Sequence, residues 1–195
     1  MLFSEPFGGV IPGARGAVLA ALLRTDTPLT GRHVHALVSD NYSLWTVQEG
    51  LKALTQLGLV NTHTIGRAGV HTVNEDHVSI APLRVLLDPI TSLTETVREA
   101  VGHDVKTVIL FGSLARGEAN IHSDVDLAVI AAGWDGRTDL EDAVRTRLGN
   151  NCDVLVFTPD DFTRLAEVGE PVVREILTDG VALIGSIPRM KCGVA

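Results

Sequence analysis

The residues of this chain that could do chemistry lie between positions 108 and 130. An apolar stretch ends at Gly112 and Ser113, and a spacer of ten residues then leads to Asp124 and Asp126. A second apolar stretch follows directly. If the acids open a strand, both carboxylates point the same way, because side chains alternate between the two faces of a strand. Paired carboxylates at a strand end favour hard divalent cations and the phosphates that such cations bind.

The residues after the first apolar stretch suit a phosphate group. Gly112 lets the chain turn sharply and lets a phosphate come close to the backbone. Ser113 is predicted to cap a short helix over residues 114–118, whose free N–H groups then face an anion. Arg116 either contacts a triphosphate or is an exposed helix arginine, and both interpretations stay open here. His122, in the loop before the acids, is interpreted as a solvated residue.

Gly112-Ser113, the spacer and Asp124-x-Asp126 resemble the signature of the DNA polymerase β-like nucleotidyltransferase superfamily, in particular its minimal, MNT-type members. The resemblance implies a third carboxylate on a later strand, and Asp153 matches that position. Three carboxylates can hold two Mg²⁺ ions roughly 3.5–4 Å apart. The resemblance therefore implies that the three acids are catalytic residues and metal ligands, with Asp153 as the base or as the residue that orients the nucleophile. Three further residues are expected to bind ATP or another nucleoside triphosphate: Gly112, Ser113 and Arg116.

The charge of the chain is unevenly distributed. The net charge is −8 over 195 residues, a length that allows one large domain or two small ones. Residues 1–80 hold five basic and six acidic residues, whereas residues 81–195 hold eleven basic and eighteen acidic residues. An acidic second half suits metal binding and argues against broad affinity for nucleic acid.

Cysteine usage and hydropathy predict a cytoplasmic location. Cys152 and Cys192 form neither a metal-ligand spacing nor a disulfide framework, as is typical of a reducing compartment. No apolar run approaches the length of a membrane span, and we recognise no secretory signal. We expect a cytoplasmic protein without membrane association.

The first 78 residues are predicted to form a winged helix-turn-helix domain. Apolar spacing predicts helices over residues 14–24, from Thr30 to 38 and from Ser43 to 57, with the two hydroxyl residues as N-caps. A β-hairpin over residues 59–65 and 70–74 follows. This arrangement resembles chains in which a winged helix is joined to a minimal nucleotidyltransferase domain.

A winged helix suggests DNA as a partner. Its third helix and wing carry polar residues outside the apolar stripe, which could reach bases or phosphates. The alternative is dimerisation or docking of a partner protein, because the domain is nearly neutral and Glu49 would repel phosphates. The candidate DNA-binding residues are Arg32, Thr46, Gln48, Lys52 and Arg67.

The remaining chain is predicted as a helical connector over residues 79–102, a nucleotidyltransferase domain over 103–188 and a tail over 189–195. Strands are expected over residues 152–157 and 181–184, with helices mainly on one face of a small mixed sheet. The fold class is therefore α/β (α+β). The apolar stripe of the connector is expected to pack on both domains and to pair with a second copy.

The resemblance implies a function that depends on another chain. Fewer than forty residues follow Phe157, so we expect the acceptor surface to come from a second protomer, the winged helix or a partner protein. By resemblance, the chain transfers AMP from ATP to a protein or RNA acceptor, in an antitoxin-like system beside a HEPN-type toxin, as a homodimer. The alternatives are a DNA-binding transcriptional regulator that only senses nucleotide and a silent partner-binding module. The retained acids favour catalysis, because unused acids repel one another.

Overall fold

The chain consists of two compact units. The computed structural model describes residues 1–25, 27–120 and 123–188. Residues 5–89 form the N-terminal unit, and residues 1–4 belong with the chain from Ile90 onward in the C-terminal unit. His122 and the tail predicted over 189–195 lie outside the described residues.

The N-terminal unit combines helices with a small antiparallel sheet. Its elements are α1 (Gly13–Leu23), β1 (Leu29–Thr30), α2 (Gly31–Val38), α3 (Leu44–Gln56), β2 (Val60–Ile65), β3 (Ala68–Val73) and α4 (Ile80–Leu86). The strands lie in the order β1-β3-β2. The predicted helices and hairpin are present within one or two residues of their expected ends. The two-residue strand β1 was not predicted, because two residues show no alternation of hydrophobicity.

Local hydrogen bonds account for the starts of α2 and α3. Thr30 Oγ1 accepts a hydrogen bond from the His33 backbone N–H at 3.3 Å, and Ser43 Oγ accepts one from the Thr46 N–H at 3.2 Å. Each hydroxyl thereby satisfies an N–H group that has no partner within the helix. The two predicted N-caps are thus confirmed.

A single apolar cluster holds the N-terminal unit together. Its fully buried members come from helices α1 to α4, from β2 and from Phe7, so the helix spacing seen in the sequence marks the inward faces. They include Val18, Leu22, Val47, Leu54 and Ile80.

The C-terminal unit contains a four-stranded mixed sheet, as predicted. Its elements are α5 (Pro89–Val101), β4 (Thr107–Phe111), α6 (Gly112–Ala115), β5 (Val125–Ile130), α7 (Arg137–Leu148), β6 (Cys152–Phe157), α8 (Pro159–Glu167), α9 (Pro171–Asp179) and β7 (Val181–Ile184). The strand order is β6-β5-β4-β7. Strands β5 and β6 are parallel, whereas β4 runs antiparallel to both of its neighbours.

Helices cover both faces of this sheet. Val108 and Leu110 of β4 lie in one apolar cluster with residues of α5 and α7. Ile109 and Phe111 lie in a second cluster with residues of α8 and α9. The prediction of helices mainly on one face is therefore wrong. The physical reason is that the central strands are apolar at successive positions, so both of their faces must be buried.

The segment predicted as a connector is divided between the units. Ile80 of α4 is buried in the core of the N-terminal unit, whereas Leu93 and Val97 of α5 are buried in the core of the C-terminal unit. The helices are separated near Pro89, since proline is tolerated at the first turn of a helix but not in its interior.

Candidate active site

Strand register brings two of the predicted acids side by side. In the parallel pair β5–β6, Asp126 lies opposite Asp153, and in the antiparallel pair β4–β5 it lies opposite Phe111. Residues opposite one another in a sheet project from the same face. Asp124 precedes β5 by one residue and lies two positions before Asp126. The acids thus meet at the edge of the sheet where β4 ends, on the face covered by α8 and α9.

Gly112 makes room for one of these carboxylates. It follows the last residue of β4 and has a φ of +73°, in the left-handed region that glycine adopts readily. A Cβ atom at this position would overlap Oδ2 of Asp126 and would lie 3.0 Å from its Cγ. The glycine of the signature therefore accommodates the Asp126 side chain.

The prediction that Ser113 caps a helix over residues 114–118 is wrong. The short helix α6 begins one residue earlier, at Gly112, and its N-cap residue is Phe111, which makes no side-chain capping bond. The sharp turn at Gly112 starts the helix before Ser113, so the serine lies inside it. The Ser113 carbonyl accepts a hydrogen bond from the Glu118 N–H at 2.9 Å.

The acids affect one another electrostatically. Burial raises the pKa of Asp126, and the nearby carboxylates of Asp153, Asp124 and Glu175 raise it further. The positive charge of Arg116 acts in the opposite direction. The three predicted acids are thus close enough to repel, and a cation among them would favour their ionised forms.

Arg116 is engaged by two glutamates. Its Nε donates a hydrogen bond to Glu118 Oε2 at 2.9 Å, and its Nη1 donates to Glu175 Oε1 on α9. The sequence offered no signal for the second contact, because Glu175 lies 59 positions later in the chain. Arg116 therefore lies beside the acids with its guanidinium group already bound to carboxylates.

Comparison with protein families identifies this half of the chain. Residues 93–187 match the family model for polymerase beta nucleotidyltransferases. The C-terminal unit is a nucleotidyltransferase domain of this family. The matched segment contains Asp124, Asp126 and Asp153, and the domain is accordingly a nucleotidyltransferase. The match leaves residues 1–92 outside it.

Solved structures of toxin–antitoxin systems are similar to about half of the chain. A crystal structure of a toxin–antitoxin with AMP-PNP is 23% identical, with a TM-score of 0.38, and the alignment covers 50% of this chain and 74% of that one. A mutant of the toxin–antitoxin MntA-HpeT is 21% identical, with a TM-score of 0.39 and coverages of 50% and 73%. No curated protein matches the chain.

The donor groups of the nucleotidyltransferase domain suit Mg²⁺. Within residues 1–25, 27–120 and 123–188, no group of three or more histidine, cysteine, aspartate or glutamate side chains is placed to hold a metal ion by itself. Mg²⁺ usually takes one or two carboxylates, with substrate phosphates and waters as further ligands. Asp124 and Asp126 supply such carboxylates. The pKa of Asp126 is raised by burial and then by the neighbouring carboxylates, and a cation would relieve the second of these contributions.

Cys152 is a free, partly buried cysteine next to Asp153. Burial, with the charges of Glu141 and of the neighbouring acids, raises the pKa of its thiol to about 12. The thiol therefore stays protonated at neutral pH, and only the thiolate is an effective nucleophile.

No helix in the described part of the chain is long and apolar enough to cross a membrane.

A second candidate site lies within the N-terminal unit. A cleft of about 830 Å³ is lined by residues from the start of α2, from α3 and from the hairpin β2–β3. Its lining contains no acidic residue. It does include four of the five predicted DNA-binding residues: Arg32, Gln48, Lys52 and Arg67. Thr46, the fifth, is not in this lining and shares a hydrogen bond of 2.8 Å with Ser43 instead.

A chain of hydrogen bonds in this cleft determines which ring nitrogen of neutral His71 carries the proton. Thr55 Oγ1 donates its proton to the Leu51 carbonyl at 2.9 Å, so it must accept from Thr62 Oγ1 at 3.0 Å. Thr62 has then used its own proton and accepts from His71 Nδ1 at 3.0 Å. Neutral His71 therefore carries its proton on Nδ1, with Nε2 as an acceptor. Burial lowers the pKa of His71. These three side chains were not among the predicted site residues.

Proposed function

We propose that the nucleotidyltransferase domain transfers AMP from ATP to a hydroxyl group of a protein or RNA acceptor, in a reaction that requires Mg²⁺. The observation that supports this most directly is the register of β5 and β6, which sets Asp126 opposite Asp153 beside Asp124. The overlap between a Gly112 Cβ and the Asp126 carboxylate is a second supporting observation, because it shows that the signature glycine packs directly against Asp126.

The proposed chemistry is a substitution at the α-phosphorus of ATP. The acceptor oxygen attacks the α-phosphorus, the bond from that phosphorus to the bridging oxygen of the leaving group breaks, and pyrophosphate departs. The hydroxyl proton passes to Asp153. This residue is exposed on β6, so an acceptor can reach its carboxylate.

We propose that Asp124, Asp126 and Asp153 would hold two Mg²⁺ ions together with the phosphates of the nucleotide. When bound, such ions polarise the α-phosphate and neutralise the leaving pyrophosphate. Gly112 and Ser113, at the end of β4, would lie beside the phosphates. Arg116, whose charge acts on Asp126, would contact the triphosphate.

The acceptor class follows from the resemblance of the signature to minimal nucleotidyltransferases. We propose that the chain acts beside a partner protein, with a HEPN-type toxin as the first candidate, and that it forms a homodimer in the cytoplasm. An RNA end is the other acceptor in this proposal.

The decisive experiment is transfer of label from α-labelled ATP, GTP, CTP or UTP with Mg²⁺ and the proteins encoded beside this chain. We expect one acceptor to become labelled, and Asp124→Asn or Asp126→Asn to abolish the labelling. Asp135→Asn, in the exposed turn before α7, is the matched control and should leave it unchanged. Label that stays in the nucleotide with every protein and RNA acceptor would contradict the proposal.

A second proposed function concerns the N-terminal unit. We propose that it acts as a winged helix that binds DNA, with the nucleotidyltransferase domain sensing nucleotide or docking a partner if transfer is absent. The supporting observation is the cleft between α3 and the hairpin, where Arg32, Lys52 and Arg67 line one surface without an acidic residue. Cationic side chains gathered on one surface are what binding to a phosphate backbone requires.

A further inference from the structure

Glu175 is the residue through which helix α9 reaches the acid cluster. Its Oε1 accepts a hydrogen bond from Arg116 Nη1, and its negative charge contributes to the raised pKa of Asp126. On the sheet below, Asp126 and Asp153 lie on the face that α9 covers. Glu175 therefore adds a negative charge near Asp126 and binds Arg116, whose positive charge also acts on Asp126.

A triphosphate and Glu175 both suit the guanidinium group of Arg116. A guanidinium group presents its N–H donors in a planar fork that fits either a carboxylate or a phosphate. Glu118 already accepts from Nε, and Glu175 accepts from Nη1. A phosphate that approached Arg116 would share the guanidinium group with these carboxylates, so Glu175 competes with it for that charge even where other N–H donors stay free.

The exposure of this ion pair allows such an exchange. The side chains of Arg116 and Glu175 are 35% and 34% exposed, so both are partly buried and yet accessible from solvent. Ion pairs with this access to water are weak, since water competes for both charges. A polyanionic ligand can therefore replace the glutamate at small cost.

We propose that Glu175 occupies Arg116 as an internal substitute for phosphate and releases it to the incoming triphosphate, so that Glu175 sets the affinity of the domain for nucleotide. The inference rests on the proposed nucleotide site, which it deepens. Glu175 acts through Arg116 and through charge, and it is a positioning residue without contact to the reacting atoms.

The test measures binding of Mg²⁺–α,β-methylene-ATP to the full chain by isothermal titration calorimetry. This analogue cannot release its α-phosphoryl group. We expect Glu175→Gln to bind it about two- to fivefold more tightly, the range that corresponds to loss of one exposed ion pair. Arg116→Ala should weaken binding, and adding Glu175→Gln to Arg116→Ala should restore little affinity. Glu167→Gln, an exposed glutamate at the end of α8, is the charge-matched control and should not change the affinity.

The outcomes separate this inference from the proposed transfer reaction. Equal tightening by Glu175→Gln with and without Arg116 would overturn it, because simple charge repulsion would then explain the effect. Unchanged or weaker binding by Glu175→Gln would overturn it as well, as would absence of binding in every variant. If label transfer fails while the expected affinities are found, the inference stands and the transfer proposal falls. If transfer is seen while Glu175→Gln binds like the wild type, only the inference falls.

Discussion

At the end of strand β4, the carboxylate of Asp126 occupies the space that a side chain on Gly112 would fill. A Cβ atom on Gly112 would lie 3.0 Å from Asp126 Cγ and 3.3 Å from its Cβ, and it would overlap Oδ2. From the sequence alone, such a glycine is explained by the close approach of a phosphate to the backbone. In this molecule the glycine also permits the position of a predicted catalytic carboxylate.

This relationship predicts that Gly112→Ala abolishes transfer. The added methyl group must push the Asp126 carboxylate away, and misplacement of a reacting group by about 1 Å can cost about 100-fold in rate. The measurement is label transfer at saturating nucleotide. Gly117→Ala is the control, because Gly117 also has a φ of +73° but has no atom within 4 Å of an added Cβ. Equal losses in both variants would attribute the effect to backbone strain.

Replacing Asp126 should stabilise the protein while it stops the reaction. Burial and neighbouring acids raise the pKa of Asp126 above its usual value of 3.8, so its ionisation weakens the folded state. The contribution of protonated Asp126 to stability is fully present below about pH 4 and is lost as the pH rises through the raised pKa. Asp126→Asn should therefore increase the free energy of unfolding at pH 7 by up to about 1 kcal/mol.

The measurement for this prediction is urea denaturation in EDTA at pH 7 and near pH 4. The gain should be present at the higher pH and absent at the lower one. Asp135→Asn serves again as the control with an exposed acid. A gain of the same size at both pH values would show that ionisation of Asp126 is not its cause.

The stability of the N-terminal unit should fall in weak acid because of His71. Burial lowers the pKa of this residue below its usual value of 6.5, so the unfolded state binds more protons just below that pH. The contribution of neutral His71 to the free energy of unfolding is fully present above about pH 6.5. It decreases as the pH falls toward the lowered pKa, by at most about 1.4 kcal/mol per pH unit. His71→Asn should flatten this dependence, since it removes the titrating ring.

Fluorescence can follow this unit separately, because it holds Trp45 and the other tryptophan, Trp134, belongs to the C-terminal unit. Denaturation of Trp134→Phe between pH 5 and pH 7.5 would give the pH dependence of unfolding. His63→Asn, at an exposed position on the neighbouring strand, should keep that dependence. A dependence that persists in His71→Asn would assign it to another group.

The salt dependence of DNA binding through the cleft should report the number of phosphate contacts. Each phosphate contact contributes about 0.9 to the slope of log K against log salt concentration. Lys52→Ala and Arg67→Ala should each reduce that slope by about one contact and weaken binding to duplexes from upstream of the coding region. Arg15→Ala, an exposed arginine on α1 outside the cleft lining, is the control. Slopes that are unchanged in both cleft variants would favour docking of a protein partner.

Local patterns in the sequence determined most elements of this protein. The predicted strands over residues 152–157 and 181–184 appear with those ends, and Thr158 begins α8 by accepting a hydrogen bond from the Asp161 N–H at 3.1 Å. Such features depend on neighbours a few positions apart, which is why they can be predicted without a fold. The signature over residues 112–126 and the family it indicated belong to the same class of information.

The tertiary structure decided what those elements bring together. The parallel register of β5 and β6 sets Asp126 against Asp153, and the packing of α9 on one face of the sheet places Glu175 beside Arg116. Each of these pairs joins positions far apart in the chain. Their contact follows from strand pairing and from burial of the two apolar faces, which depend on the whole unit and have no counterpart in local spacing.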